Sequence, residues 1–210
     1  MTTKEKIIDE ALTLFSINGF KGTSVKNIAD AVGIKDSSLY KHFKSKQEIL
    51  DTIVVAMGKH IENMSEKIGI PADDDMEKAV DIYTKFDEDT LVHFSKTVFL
   101  FYLNDSFVSR FWRMGTIEQY KNPQVYKLFS QLFLEDSLTY QTALFAEMSK
   151  KNIFIDIDPQ VMAMNFYTPI YFLLSKYSNT ENKEDEALEV LEKQVREFFR
   201  IYTKKQGEQL

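Results

Sequence analysis

The chain has 210 residues, 44% of them hydrophobic and none of them cysteine, with a formal net charge of −6. That length lies between one large domain and two small ones and suffices for a sizeable core. The missing cysteines exclude disulfides and thiolate metal sites, and the negative total argues against a protein that coats nucleic acid over its whole surface.

The total hides an asymmetry. Residues 20–46 hold six lysines, Lys21, Lys26, Lys35, Lys41, Lys44 and Lys46, against only Asp30 and Asp36. One small basic region therefore sits on an acidic body. The N-terminal MTTKEKIIDEALTLF mixes Lys4, Glu5, Lys6, Asp9 and Glu10 into its apolar positions, unlike a signal peptide. The most apolar stretch, Val161 to Leu174, is broken by Asn165, Thr168 and Pro169 and is shorter than the roughly 18 residues of a membrane span. These patterns predict a cytoplasmic protein with no membrane partner. With His42, His60 and His93 as the only histidines, no glycine-rich phosphate loop and no nucleophile motif, an enzyme is not expected, nor a cofactor or metal.

Helical spacing dominates throughout, so the chain is read as all-α. Ile7, Ile8, Ala11, Leu12 and Phe15 form one face of a first helix that Asn18-Gly19 ends. Thr23 or Ser24 caps a second helix with Val25, Ile28, Ala29 and Val32 on its buried face, and Gly33 stops it. A third runs from about Asp36 to Phe43. Ser45 caps a fourth from Lys46 to Ile68, which at ~1.5 Å per residue is a rod of roughly 34 Å joining two domains. Gly58 is its expected bending point. Gly69-Ile70-Pro71 stops the rod, and Asp73-Asp74-Asp75 suits the start of the next helix. Further helices are expected at 76–87, 89–104, 106–120, 123–150, 159–177 and 183–204, with Asn122-Pro123 and Asp158-Pro159 as cap and first-turn proline pairs. Pro169 is expected to kink its helix.

The second and third helices, joined by Gly33-Ile34-Lys35, have the shape of a helix-turn-helix. On a wheel of about 100° per residue Leu39 and Phe43 form the buried edge, with Ala29 and Phe15 as neighbours, and Ser37 and Lys41 point the opposite way. Tyr40, Ser38 and His42 lie along the flanks. A helix in a DNA major groove needs small polar groups at its tip for base edges, and hydroxyl, imidazole or ammonium groups beside it for the phosphate walls. Thr23 and Ser24 add hydroxyls and free N–H groups, and Lys46 an ammonium, for phosphate.

The span Lys4 to Leu50 resembles the DNA-binding domain of the tetracycline-repressor (TetR) family. Phe15, Gly19-Phe20, Thr23-Ser24, Ile28-Ala29, Gly33-Ile34, Leu39-Tyr40-x-His42-Phe43 and Lys46-x-Glu48-x-Leu50 carry the likeness, which covers about the first quarter of the chain. The resemblance implies a three-helix DNA-binding domain at residues 1–46 and a larger helical domain at 47–210 for ligand binding and dimerisation, with helix 46–68 connecting them. It implies a homodimer on a palindromic double-stranded operator, with phosphate contacts from Thr23, Tyr40, His42 and Lys46 and base contacts from Lys35, Ser37, Ser38 and Lys41. No arginine precedes Arg110, so lysine or DNA shape would have to read any guanine.

Between Tyr83 and Phe145 stand fifteen aromatic residues, far above the 13% of the whole chain. Phe94, Phe99, Tyr102, Phe107, Phe111, Trp112, Tyr126, Phe129, Phe133 and Tyr140 are read as lining a pocket for a small hydrophobic ligand, with ordinary core packing as the alternative for each. Arg110 and Arg113 either hold an anionic ligand or pair with carboxylates such as Glu118. In the last helix Leu188, Leu191, Val195, Phe198 and Tyr202 form a coiled-coil-like seam, and with Phe166 and Ile170 of the preceding helix they are expected to build a two-fold dimer interface. The resulting expectation is a ligand-responsive repressor, in which ligand shifts the fourth helix and so the spacing of the two recognition helices. A ligand-independent DNA-binding or architectural protein and an activator are the alternatives.

Overall fold

The computed structural model describes residues 1–69, 75–180 and 182–204. The expected stop at Ile70-Pro71 and the carboxylates Asp73 and Asp74 lie outside these. The described residues form an all-α fold, as expected: α1 Thr3–Gly22, α2 Val25–Val32, α3 Asp36–Leu39, α4 Lys46–Ile68, α5 Met76–Tyr83, α6 Glu88–Asn104, α7 Ser106–Glu118, α8 Pro123–Ser130, α9 Asp136–Lys150, α10 Pro159–Tyr177 and α11 Glu184–Tyr202. None of the described helices is long and apolar enough to cross a membrane.

The boundaries follow local chemistry. Ser24 and Asn27 cap α2 reciprocally, and Gly33 ends it in the left-handed conformation at φ 77°. Asn122 and Asp158 each accept two first-turn N–H groups, and a proline follows each of them in the first turn of α8 and α10. Two differences have physical causes. Regular α3 stops at Leu39, because Lys41 and His42 donate to the carbonyls three residues back and tighten the turn that follows. The helix expected over 123–150 is interrupted by a π-helical stretch, Gln131–Glu135, in which the Phe133 carbonyl accepts the Tyr167 hydroxyl at 2.5 Å. α10 continues through Pro169.

Two compact units form. The first comprises Met1–Met64 and Asn104–Gln131, the second Ser65–Leu103 and Leu132–Leu210. In the first, α1 packs along α7. The Arg110 guanidinium donates to the Asp9 carbonyl at 3.1 Å, to Thr13 Oγ1 at 2.6 Å and to the Asp9 carboxylate at 2.6 Å. Gly115 lets α8 approach α7 so closely that a Cβ there would stand 2.2 Å from the Phe129 ring. His60 of α4 stacks on Phe107 at 4.5 Å.

The second unit has its core in Ala79, Val80, Tyr83, Leu144, Phe145, Met148, Phe154, Met162, Ala163 and Phe198. Across its surface Arg196 of α11 reaches Glu88 and Asp89 of α6, each at 2.7 Å.

Candidate nucleic-acid interface

The helix-turn-helix is assembled on a buried edge. Ile28, Ala29 and Leu39 are fully buried and Phe43 nearly so, as is Phe15 of α1. With Leu39 and Phe43 fixed inward, the helical spacing turns the rest of the α3 segment outward. Lys35, Ser37, Tyr40, Lys41 and His42 are exposed, and Ser38 is half-buried. Tyr40 is 54% exposed, with its phenol available as a hydrogen-bond donor. Lys4 of α1 adds an ammonium 5.3 Å from the Phe43 ring, at the end of the same segment.

The phosphate-side residues divide. Ser24 is exposed, but its hydroxyl is occupied with Asn27, accepting from its backbone N–H at 3.1 Å and donating to its side chain at 2.6 Å. This capping leaves the N–H groups of Val25 and Lys26, in the first turn of α2, as donors without an intrahelical acceptor. Thr23 is buried, and its hydroxyl donates to the Gly19 carbonyl at 3.0 Å. Lys46 turns inward: Nζ donates to the Phe20 carbonyl at 2.6 Å and the Thr23 carbonyl at 2.7 Å. Burial lowers its proton affinity, and the charge of Glu118 works against that.

Glu118 is 2% exposed and accepts the Phe20 N–H at 3.0 Å. It is therefore not a surface partner for Arg110, whose carboxylate is Asp9. Sequence reading had no signal for these anchors beyond the residue types, since their partners lie about a hundred positions away.

The ten aromatic residues read as a pocket are shared between the units: Phe107, Phe111, Trp112, Tyr126 and Phe129 belong to the first, and Phe94, Phe99, Tyr102, Phe133 and Tyr140 to the second. Trp112 packs on Phe129 at 5.3 Å, and Tyr102 on Phe133 at 6.0 Å. Tyr126 is 51% exposed. A cavity of about 620 Å³ in the second unit is lined instead by Phe86, Leu91 and Phe199 with Glu88, Lys193, Arg196, Glu197, Arg200 and Thr203, none of them among the ten.

Of the seven residues read as the dimer seam, Leu191, Val195 and Phe198 are buried within the chain itself, Phe198 packing against Phe145 and edge-to-face with Phe166. Phe166, Ile170, Leu188 and Tyr202 are half-buried. The apolar residues that α10 and α11 leave exposed are Val161, Met164, Phe172, Val190 and Ile201.

Residues 7–53 match the family model for bacterial regulatory proteins of the tetR family. The biofilm operon icaADBC HTH-type negative transcriptional regulator IcaR of Staphylococcus aureus (strain Newman) is 46% identical over 61 residues, 29% of this chain and 33% of that protein. The matched segment thus spans about a third of the length of such curated relatives. Among solved structures, a TetR transcriptional regulator from Chloroflexus aurantiacus J-10-FL aligns with a TM-score of 0.72 at 14% identity, covering 97% of each chain. The flavonoid-responsive regulator FrrA aligns with a TM-score of 0.63 at 20% identity, covering 97% of this chain and 98% of its own. At such identities these two likenesses concern the fold alone. Residues 7–53 are thus a helix-turn-helix segment of the tetR family of bacterial regulatory proteins, and the fold of the chain is similar to that of solved TetR regulators along nearly its whole length.

Proposed function

We propose that the protein is a transcriptional repressor that binds a palindromic DNA operator as a homodimer and leaves it when a small hydrophobic ligand binds. The observation that carries this reading is the exposed polar face of the α3 segment over its buried Leu39–Phe43 edge. Lys35, Ser37, Ser38 and Lys41 are assigned to base edges, and Tyr40 and His42 to the phosphates on either side. The first turn of α2 adds the Val25 and Lys26 N–H groups, so Thr23 and Ser24 contribute by placing backbone rather than by their hydroxyls. Residues 1–46 are the DNA-reading domain, and the remainder serves ligand binding and dimerisation.

Repression is favoured because IcaR is named a negative transcriptional regulator. A palindromic site needs two-fold symmetry, and the exposed Met164, Phe172, Val190 and Ile201 of α10 and α11 are the candidates for the face that meets a second copy. For a small, largely apolar ligand, Phe94, Phe99, Tyr102, Phe133 and Tyr140 are the candidates in the second unit. A DNA-bound regulator works in the cytoplasm.

The test is selection of random duplex DNA on the purified protein at moderate salt, followed by binding to the enriched duplex with and without a panel of lipophilic compounds. An enriched palindrome released by one compound supports the whole reading. Failure to enrich any duplex refutes DNA recognition. Binding that no compound alters favours a ligand-independent repressor, a second reading supported by the near-complete burial of Phe99, Phe111, Phe129 and Phe133, each 1% exposed.

A further inference from the structure

α1 is broken at Gly19, whose φ 73° and ψ 169° are not helical, and the backbone from there to Thr23 leads into the first turn of α2. It is gripped from two sides. Lys46 holds its carbonyls, donating to Phe20 at 2.6 Å and Thr23 at 2.7 Å, while its ammonium stands 4.3 Å from the Phe20 ring centre. An ammonium has three donors, of which two are committed to carbonyls here, with the ring covering another side. Glu118 holds the amide side, its Oε1 accepting the Phe20 N–H at 3.0 Å. The same oxygen would stand 2.4 Å from a Cβ at Gly19, so the carboxylate lies directly against the backbone there. Its other oxygen, Oε2, is buried without a hydrogen-bond partner among the described residues. A 2%-exposed carboxylate at the C-terminal end of α7 is thus committed to the DNA-reading domain, although it lies far outside residues 7–53.

We infer that Lys46 and Glu118 are a pair of positioning residues for DNA binding: Lys46 fixes the Gly19–Thr23 turn instead of binding a phosphate, and Glu118 fixes the same turn from α7. The inference rests on the proposed reading of α2 and the α3 segment as the DNA-facing surface. To reach a phosphate, Lys46 would release two carbonyls that have no other donor of comparable strength, and would free the turn that aims the Val25 and Lys26 N–H groups.

Salt dependence separates the two roles. Each phosphate contact removed lowers the slope of log affinity against log salt by about 0.9. Affinity for the selected duplex is measured over a salt series for the wild type and for Lys46→Met, Lys46→Gln, Glu118→Ala and the Lys46→Met/Glu118→Ala double variant, with thermal melts reporting folding of each. Lys46→Met and Glu118→Ala are expected to weaken binding about tenfold at every salt concentration with the wild-type slope. Lys46→Gln, which keeps N–H donors but no charge, is expected to recover part of the loss, and the double variant to lose less than the product of the single effects. A slope reduced by about 0.9 in Lys46→Met overturns the inference, as does wild-type affinity in Glu118→Ala. A wild type that binds no selected duplex refutes the DNA-facing reading beneath it, a result distinct from both.

Discussion

Gly19→Ala tests how closely the DNA-reading domain is keyed to α7. Gly19 has φ 73° and ψ 169°, a region open to glycine and closed to side chains, so alanine there costs about 1–3 kcal/mol in backbone strain. Its Cβ would stand 2.4 Å from Glu118 Oε1 and 3.5 Å from Glu118 Cδ, so the carboxylate must withdraw. Withdrawal releases the Phe20 N–H now held at 3.0 Å, a hydrogen bond to a charged acceptor whose loss costs about 1.5–3 kcal/mol. Restricting the unfolded chain returns about 0.4–1 kcal/mol. The net expectation is a loss of about 2–5 kcal/mol, a large share of the ~5–15 kcal/mol of a typical domain. Urea unfolding followed by circular dichroism measures it. Gly22→Ala is the control: its Cβ meets only the Asn18 side chain at 3.5 Å, an ordinary contact, so it is expected within about 0.5 kcal/mol of wild type. In a Glu118→Ala background the clash is gone, so Gly19→Ala there is expected to cost only its backbone part. A Gly19→Ala protein within about 1 kcal/mol of wild type refutes the reasoning, since strain alone accounts for that much.

Gly58→Ala places its Cβ where no atom lies within 4 Å, so the urea midpoint is expected to rise by the equivalent of about 0.5–1 kcal/mol; a fall would show that α4 needs glycine there. The double substitution Phe172→Glu/Ile201→Glu, at positions 60% and 50% exposed, is expected to halve the mass found by light scattering with helix content retained, whereas Leu191→Glu, fully buried, is expected to unfold the chain; an unchanged mass removes α10 and α11 from the dimer face. Burial pushes the Tyr102 phenol up to about 12, and the charge of Asp136 adds to it. Because the raised value favours the protonated form in the fold, the stability Tyr102 contributes is complete below its ordinary value of 10.0 and is lost as pH climbs towards about 12. Tyr102→Phe is expected to flatten that part of the alkaline stability curve, measured by urea midpoints at successive pH values; a curve that keeps its slope assigns the dependence to another group.

Local rules carried the sequence reading where a signal and its effect lie within one turn. Asn122-Pro123, Asp158-Pro159, Ser24 and Gly33 each mark a helix boundary through a backbone group three or fewer residues away. Long-range anchors escaped it. Arg110 finds Asp9 across 101 positions and Glu118 finds the Phe20 amide across 98, and nothing in either local pattern encodes the partner. The α11 seam shows a different limit. A spacing of Leu191, Val195 and Phe198 reports that one face of the helix is buried, but not by which chain, and here the chain's own Phe145 and Phe166 cover Phe198. Aromatic density likewise reports burial without saying whether a cavity stands among the rings.

The likeness in sequence to the family model ends at residue 53, yet polar atoms that hold the matched segment come from beyond it, from Arg110, Glu118 and Gln124, the last donating to Asp51 at 3.1 Å. A DNA-reading domain of this size buries too little apolar surface to be rigid on its own. The α7–α8 hairpin completes it, with Gly115 allowing the close approach, Arg110 fixing the middle of α1 and Glu118 its C-terminal end. The chain enters α7 directly from α6, with only Asp105 between them, and Asp105 accepts the Phe107 and Val108 N–H groups as the cap of α7. The N-terminal cap of α7 thus follows α6 by one residue, while Glu118 at the other end of α7 holds the Phe20 amide of the turn before α2.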